Sequence, residues 1–223
     1  MPNDAPDWQR VVNVAAGPAL TDAPDWEHVV VGPGGGAIGG GGGGGLSAAT
    51  FGFAGWTFPS YDVNAGIAQN NGIIFLQMIF WEVSTSISKV GFIIDTAGGG
   101  PVANENYIGI YSFDPLTRPM GDMTLLASTA PGVVDAVVTS LGTVEVSLSA
   151  ALNVTAGDVA LIAYVGQATT APQFVGKGNY GVYDWPLIGT YTRTITGTYT
   201  SLPATILGSN TEVYGGSNFY WAR

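Results

Sequence analysis

Residues 144–165 read VEVSLSAALNVTAGDVALIAYV, and they carry the clearest structural signal in the 223-residue chain. The first five residues alternate apolar and polar side chains, a period of two that predicts a strand with one buried and one wetted face. The last seven residues are apolar throughout, so this second predicted strand lacks the alternation of the first. The TAGD sequence between them is typical of a turn. The stretch therefore predicts two neighbouring β-strands.

The same alternation of short β-rich runs and turn residues extends from about Tyr61 to the end of the sequence. The chain carries no convincing amphipathic helix. Many short strands at this spacing indicate an all-β fold, an antiparallel β-sandwich of jelly-roll-like type. We predict strands near residues 73–83, 87–95, 107–113, 125–128, 144–148, 159–165, 173–175, 191–199 and 218–221.

The first 31 residues contain a short internal repeat, because Ala-Pro-Asp-Trp occurs at residues 5–8 and again at residues 23–26. Proline disfavours helix at the residue before it, and the valines that follow each copy prefer extended backbone. Isolated hairpins are marginal in water, so we expect this extended arm to rest on another chain or on the main domain. Its expected anchoring and assembly residues are Trp8, Val11, Val12, Trp26, Val29 and Val30.

A glycine-rich stretch follows the arm, with eleven glycines among residues 32–45. Neither helix nor ordinary strand is favoured there, so the composition predicts a connector that gives reach or close backbone packing. An aromatic segment with Phe51, Phe53, Trp56 and Phe58 comes next. We therefore divide the chain into an attachment arm (1–31), a connector with the aromatic segment (32–60) and a β-sandwich domain (61–223).

Charge and hydropathy exclude two kinds of partner. The formal net charge is −10, and no lysine or arginine occurs between Arg10 and Lys89, so we expect no nucleic-acid binding. The most apolar run, residues 72–80, is far shorter than the roughly 20 residues of a transmembrane helix. We therefore expect no membrane insertion.

The chemistry-bearing residues do not favour an enzyme. His28 is the only histidine and there is no cysteine, so one chain cannot build a serine triad, a thiol nucleophile or an ordinary histidine or thiolate metal centre. We predict no catalytic residues, no metal site and no cofactor. A pair of carboxylates acting on a glycan stays open in principle. Six acidic residues lie near predicted loops, and nothing in the sequence selects two of them: Asp95, Glu105, Asp114, Asp122, Asp135 and Asp184.

An aromatic group in the loop-like sequence GKGNYGVYDWP, residues 176–186, has two interpretations. Tyr180, Tyr183 and Trp185 offer flat apolar rings with polar tips, which suit a glycan-stacking or interface contact. The alternative is that these rings cover the end of the sandwich core.

Several stretches, spanning roughly residues 85–223, together resemble the C-terminal β-domains of minor tail proteins and related virion surface proteins of phages that infect actinobacteria. The order of these stretches carries the resemblance more than any one of them does. They are residues 90–98, 106–111, 125–129, 152–158, 171–172, 201–204 and 218–222. The Ala-Pro-Asp-Trp arm and the glycine run also look like the N-terminal parts of such proteins.

The resemblance implies a non-enzymatic structural protein of a phage particle, either a minor tail protein or a capsid spike or decoration. It would lie on the outer surface of the virion, bound to other virion proteins through its arm and in contact with its own copies or a host-surface glycan. A homo-oligomer is expected, with a trimer preferred. One alternative is a receptor-binding module that recognises host cell-envelope carbohydrate. A cell-wall-degrading enzyme, which would need two converging carboxylates, is a third possibility.

Overall fold

A computed structural model of the chain describes residues 47–57, 65–114, 121–177, 192–213 and 217–223. These residues belong to one compact unit. They contain sixteen β-strands and two single-turn 3-10 helices, at Ala49–Phe51 and Gly208–Asn210, and no α-helix. The prediction of an all-β fold is confirmed.

The strands vary from two residues to thirteen. In chain order they are β1 Gly55–Trp56, β2 Ala65–Ala68, β3 Ile74–Trp81, β4 Thr85–Thr96, β5 Gly99–Pro101, β6 Tyr107–Ser112, β7 Met123–Ser128, β8 Gly142–Val154, β9 Val159–Val165, β10 Ala168–Thr170, β11 Gln173–Lys177, β12 Thr192–Ile195, β13 Thr205–Ile206, β14 Glu212–Val213, β15 Ser217–Asn218 and β16 Tyr220–Ala222.

The strand pairings form a closed path. In order, β7, β6, β9, β3, β1, β16, β4 and β8 are neighbours, and every pair is antiparallel. A single bridge between Thr129 and Leu148 then joins the end of β7 back to β8. A register shift between Ile87 and Lys89 lets β8 bend away from β4 towards β7. Closure of this kind leaves few exposed strand edges within the path.

One large apolar core lies inside this path and receives side chains from both halves of it. Tyr164 on β9 and Phe174 on β11 approach each other across the core, with ring centroids 4.8 Å apart in an edge-to-face arrangement. Phe92 on β4 packs against Phe174 from its own side, at 4.7 Å. The antiparallel β-sandwich prediction therefore describes the architecture, while its jelly-roll likeness stays a prediction.

Strand β9 explains why residues 159–165 are apolar without alternation. Both faces of this strand are buried, because a second apolar cluster lies on the outer side of β3, β6 and β9. Ala160, Ile162 and Tyr164 face the main core, and Leu161, Ala163 and Val165 face the second cluster. A segment near the C-terminal end covers that outer side with Ile195, Tyr199, Leu202 and Ile206.

Gly55 and Trp56 are part of the same sheet, although the sequence placed residues 32–60 before the sandwich domain. Strand β1 is only two residues long, but it pairs with β3 on one side and β16 on the other. It therefore joins the two halves of the closed path. The preceding turn, Ala49–Phe51, packs beside it through Phe51 and Phe53.

Candidate functional site

The site residues predicted from the sequence lie outside the described part of the chain. This is true of the arm residues Trp8, Val11, Val12, Trp26, Val29 and Val30, and of the loop residues Tyr180, Tyr183 and Trp185. Their proposed roles therefore stay predictions. The described residues form a different candidate site, on the outer side of the sheet beside the segment that follows the glycine run.

A row of directly opposed residues crosses five strands on this outer side. Phe80 on β3 lies opposite Trp56 on β1, and Trp56 lies opposite Trp221 on β16. Trp221 in turn lies opposite Gly91 on β4, and Gly91 lies opposite Glu145 on β8. Directly opposed residues share one face of a sheet, so the row is a continuous surface. We call it the aromatic face.

A short segment covers the middle of the aromatic face. Phe51 lies 5.9 Å from the Trp56 ring, and Phe53 lies 5.3 Å from the Trp221 ring, measured between centroids. Phe51 and Phe53 are themselves stacked at 6.2 Å, with 19° between their planes. Trp56 and Trp221 are consequently buried, with only 6% and 3% of their surfaces exposed.

Gly91 permits the close contact between Trp221 and β4. A Cβ atom at position 91 would lie 2.0 Å from the Trp221 indole, far inside van der Waals contact. The glycine therefore lets the large ring lie flat across the strand. Any side chain at this position would have to displace the ring.

An ion group borders the aromatic face at the β8 side. The Glu145 carboxylate accepts a hydrogen bond from the Trp221 indole N–H at 3.3 Å and from the Arg223 guanidinium. The Lys89 ammonium lies 3.8 Å from the same carboxylate. Both cations are about half exposed, at 44% for Lys89 and 50% for Arg223, so water screens their interaction with Glu145.

The other side of the aromatic face carries exposed apolar side chains. Phe51 is 45% exposed, Phe80 is 39% exposed and Val83 is 37% exposed. Val83 belongs to the same region, because its backbone N–H donates to the carbonyl of Ala54, two residues before Trp56. We call these three residues the rim. Phe51 and Phe80 both flank Trp56, so two of the three rim residues lie beside the buried aromatic cluster.

Two buried polar networks hold the sandwich together, and neither was found from the sequence. In the first, the Asn106 amide donates to Asp135 at 2.8 Å and accepts from the backbone N–H of Gln167 at 3.1 Å. The Tyr164 hydroxyl donates to the same amide oxygen at 3.4 Å. Burial, and then the charge of Asp135, raises the pKa of Tyr164 above its ordinary value.

The second network ties β15 and β16 to the segment after β2. The side-chain amides of Gln69 and Asn218 donate to each other, at 3.0 and 3.2 Å. Asn218 also donates to the Tyr220 hydroxyl at 3.3 Å. Burial chiefly raises the pKa of Tyr220, an effect that the hydrogen bond from Asn218 opposes. An isolated Gln or Asn in a sequence gives no signal for such a pair.

Two of the acidic residues considered for catalysis have structural hydrogen bonds. Asp135 accepts from Asn106 and from the backbone N–H of Asn104, the latter at 2.6 Å. Asp122 accepts from the backbone N–H of Gly208 at 3.3 Å. Across the described ranges, no three His, Cys, Asp or Glu side chains converge as a metal site.

A groove of about 230 Å³ lies under the segment that covers the second cluster. Its lining is mostly apolar, with Ile195, Tyr199, Pro203, Thr205, Ile206, Leu207 and Asn210 around it. Among the described residues, its lining has no carboxylate, imidazole or cationic side chain. No helix in the part of the chain that the structure describes is long and apolar enough to cross a membrane.

Comparison with known proteins produced no match, either to a family model or to a curated protein.

Proposed function

We propose that the protein is a non-enzymatic structural component of a phage particle, a minor tail protein or a capsid spike or decoration. Its N-terminal arm anchors it to the particle, and its β-sandwich is displayed outward. The sequence resemblance supports the phage assignment, and the geometry of the described residues supports a role in contacts.

The observation that carries the structural role is the rim with its supporting aromatic face. Phe80 lies on strand β3, Phe51 is packed on Trp56 and Phe53, and the rings beneath are packed against one another. Rigid aromatic anchors of this kind bind a partner at low cost in conformational entropy. The surface includes Phe51, which follows the glycine run closely in the sequence.

Quantitative mass spectrometry of purified phage particles tests this proposal. We expect particles made with the wild-type chain to contain the protein in a fixed number of copies. The double substitution Trp8→Ala and Trp26→Ala should remove most of these copies, because it deletes the two indoles of the arm. Leu141→Ser, at a side chain that is 69% exposed outside the arm, is the matched control and should incorporate normally.

Two results would contradict the proposal. The wild-type protein would be missing from purified particles if it is not a virion component. Unchanged incorporation of the double tryptophan variant would remove the anchoring role of the arm. Specific binding of the purified protein to cell-envelope glycans, lost on Trp185→Ala, would favour the receptor-binding alternative instead.

A further inference from the structure

We infer that residues 47–57 and 219–223 form a clasp, a unit that opens and closes as a whole while the rest of the sandwich stays folded. Its two parts are β1 with the turn before it, and β16 with its two flanking residues. The inference goes beyond the proposed contact role and does not depend on it. It assigns the sandwich a conformational device, in which a change at one part of the clasp releases the other.

The clasp lies between two strands that are consecutive in the sequence. Only residues 82–84 separate β3 from β4. Strands with so short a connection usually pair with each other as a hairpin. Here β1 and β16 lie between them, β1 against the end of β3 and β16 against the middle of β4. The clasp therefore closes the path of strands at this position.

The pairing of the clasp with the flanking strands is short. Strand β1 pairs with β3 only at Gly55 and Trp56, and β16 pairs with β4 only at residues 220–222. Their other neighbours are held over longer stretches, since β3 pairs with β9 along residues 75–80 and β4 pairs with β8 from residue 85 to residue 94. Both flanking strands therefore keep a long partner when the clasp opens.

The two parts of the clasp are bonded to each other. The backbone N–H of Ala54 donates to the Ala222 carbonyl at 2.7 Å, and that of Thr57 donates to the Tyr220 carbonyl at 3.0 Å. The Thr57 hydroxyl accepts from the Tyr220 backbone N–H at 3.1 Å. Because these bonds join β1 directly to β16, release of one strand leaves the other without its partner.

The clasp also has an apolar cluster of its own. This third cluster lies on the aromatic face, apart from the main core and the second cluster. One of its members, Ile93, belongs to β4, and the others all belong to the clasp: Ala48, Phe53, Trp56, Phe219 and Trp221. A segment whose apolar contacts are mostly internal forms a separate cooperative unit of opening.

Opening removes one large side chain from the main core. Tyr220 has no exposed surface, and its ring centroid lies 6.3 Å from those of Phe92 and Phe174. The contact between Phe174 and Tyr164 across the core does not involve the clasp. Opening of the clasp therefore costs less than unfolding of the whole core, so it precedes global unfolding.

Hydrogen exchange of the full-length protein, measured by mass spectrometry in increasing urea, tests the inference directly. We expect the amides of residues 54–57 and 220–223 to exchange at least about 10-fold faster than those of β9, with one common dependence on urea. Clasp amides that exchange as slowly as the β9 amides would overturn the inference. Different urea dependences for the two parts would also overturn it, because they would then open separately.

A matched pair of substitutions separates clasp opening from general destabilisation. Phe53 and Phe113 are both partly buried, Phe53 on the third cluster and Phe113 on the second. Phe53→Ser should speed exchange at residues 220–223 about 5-fold or more, although position 53 is remote from them in sequence. Phe113→Ser should speed exchange in β9 and leave the clasp amides unchanged, because the second cluster stays intact in the open state. Equal acceleration of the clasp by both variants would contradict a separate opening.

A glycine of β1 allows the open state to be populated. A Cβ at position 55 would lie 2.1 Å from the Phe80 carbonyl oxygen, a backbone atom that cannot rotate away. Gly55→Ala should therefore abolish exchange protection at residues 220–223 while β9 stays protected. Gly99→Ala is the control, since its Cβ would first meet Thr170 at an ordinary 3.6 Å, and it should behave as the wild type does. Loss of protection in β9 of the Gly55→Ala variant, or failure of Phe53→Ser to fold, would show that the sandwich needs the clasp and would overturn the inference.

Discussion

The outward side of β3 has two regions that differ in how far their apolar side chains are covered. At one end Ile74, Leu76 and Met78 lie under the C-terminal segment and are at most 7% exposed. At the other end Phe80, on the same side of the same strand, remains 39% exposed. The described residues cover the first region and leave Phe80 partly exposed in the second. This difference separates an internal core from the surface that we propose as a contact site.

Leu76→Ala should produce the largest effect, because it opens a cavity where the cover is complete. Leu76 has no exposed surface, and truncation of such a residue typically costs about 2–5 kcal/mol of unfolding free energy. Urea denaturation monitored by tryptophan fluorescence measures the loss. A cost below about 1 kcal/mol would mean that the second cluster is loosely packed and that the contrast along β3 is weaker than described.

The substitutions Gly91→Ala and Gly109→Ala compare how tightly the aromatic face and the second apolar cluster pack against a glycine in a strand. A Cβ at position 91 would meet the Trp221 indole at 2.0 Å, whereas one at position 109 would first meet the end of Leu202 at 2.5 Å. A rigid ring yields less than a flexible leucine, so we expect Gly91→Ala to cost about 1–3 kcal/mol and Gly109→Ala to cost less. Thermal unfolding of both variants measures which substitution lowers stability more. A larger loss for Gly109→Ala would contradict this prediction.

High pH should destabilise the core that lies between the two surfaces. Burial raises the pKa values of Tyr164 and Tyr220 in the folded protein, while in the unfolded chain both ionise near pH 10. Below about pH 10 both tyrosines are neutral in the folded and the unfolded chain, so their full contribution to stability is present. Above pH 10 the unfolding free energy falls by up to about 1.4 kcal/mol per pH unit for each tyrosine. Denaturation curves at increasing pH measure this slope.

Tyr164→Phe and Tyr220→Phe provide the comparison for that measurement. Each substitution should reduce the fall in unfolding free energy above pH 10 by up to about 1.4 kcal/mol per pH unit. This amount corresponds to one proton, because each variant lacks one hydroxyl that ionises only in the unfolded chain. An unchanged slope in both variants would show that other groups cause the alkaline unfolding.

Substitutions in the rim should have the smallest effect on folding. Val83→Ser removes a side chain that is 37% exposed, so it should change the unfolding free energy by about 0.5 kcal/mol or less. Phe51→Ser should cost about 1 kcal/mol, because it also removes the ring that packs on Phe53 and Trp56. Equilibrium denaturation under dilute conditions gives these values. A loss comparable to that of Leu76→Ala would mean that the rim belongs to the core.

Strand periodicity allowed most of the fold to be predicted. Each of the nine predicted strands overlaps an observed one, and the uniformly apolar sequence of β9 is explained by the burial of both its faces. The missed strands are mostly two to four residues long, such as β1 and β13. Pairing with distant strands stabilises these short elements, and no local pattern of side chains encodes that pairing.

The aromatic face was harder to predict because its residues are far apart in the sequence. Trp56 and Trp221 become neighbours only when β1 and β16 pair. The sequence did show Phe51, Phe53 and Trp56 as an aromatic segment, but it gave no reason to combine them with the final strand. The salt bridge and hydrogen bonds of Glu145 likewise depend on the register between β4 and β8.

Hydroxyl-radical footprinting of the full-length protein at low and high concentration tests most directly whether the uncovered end of β3 is a contact surface. We predict that Phe51 and Phe80 become protected from labelling as the concentration rises, while Leu126 and Leu141 keep their reactivity. Equal labelling of all four side chains at every concentration, in a protein shown to self-associate, would contradict this account.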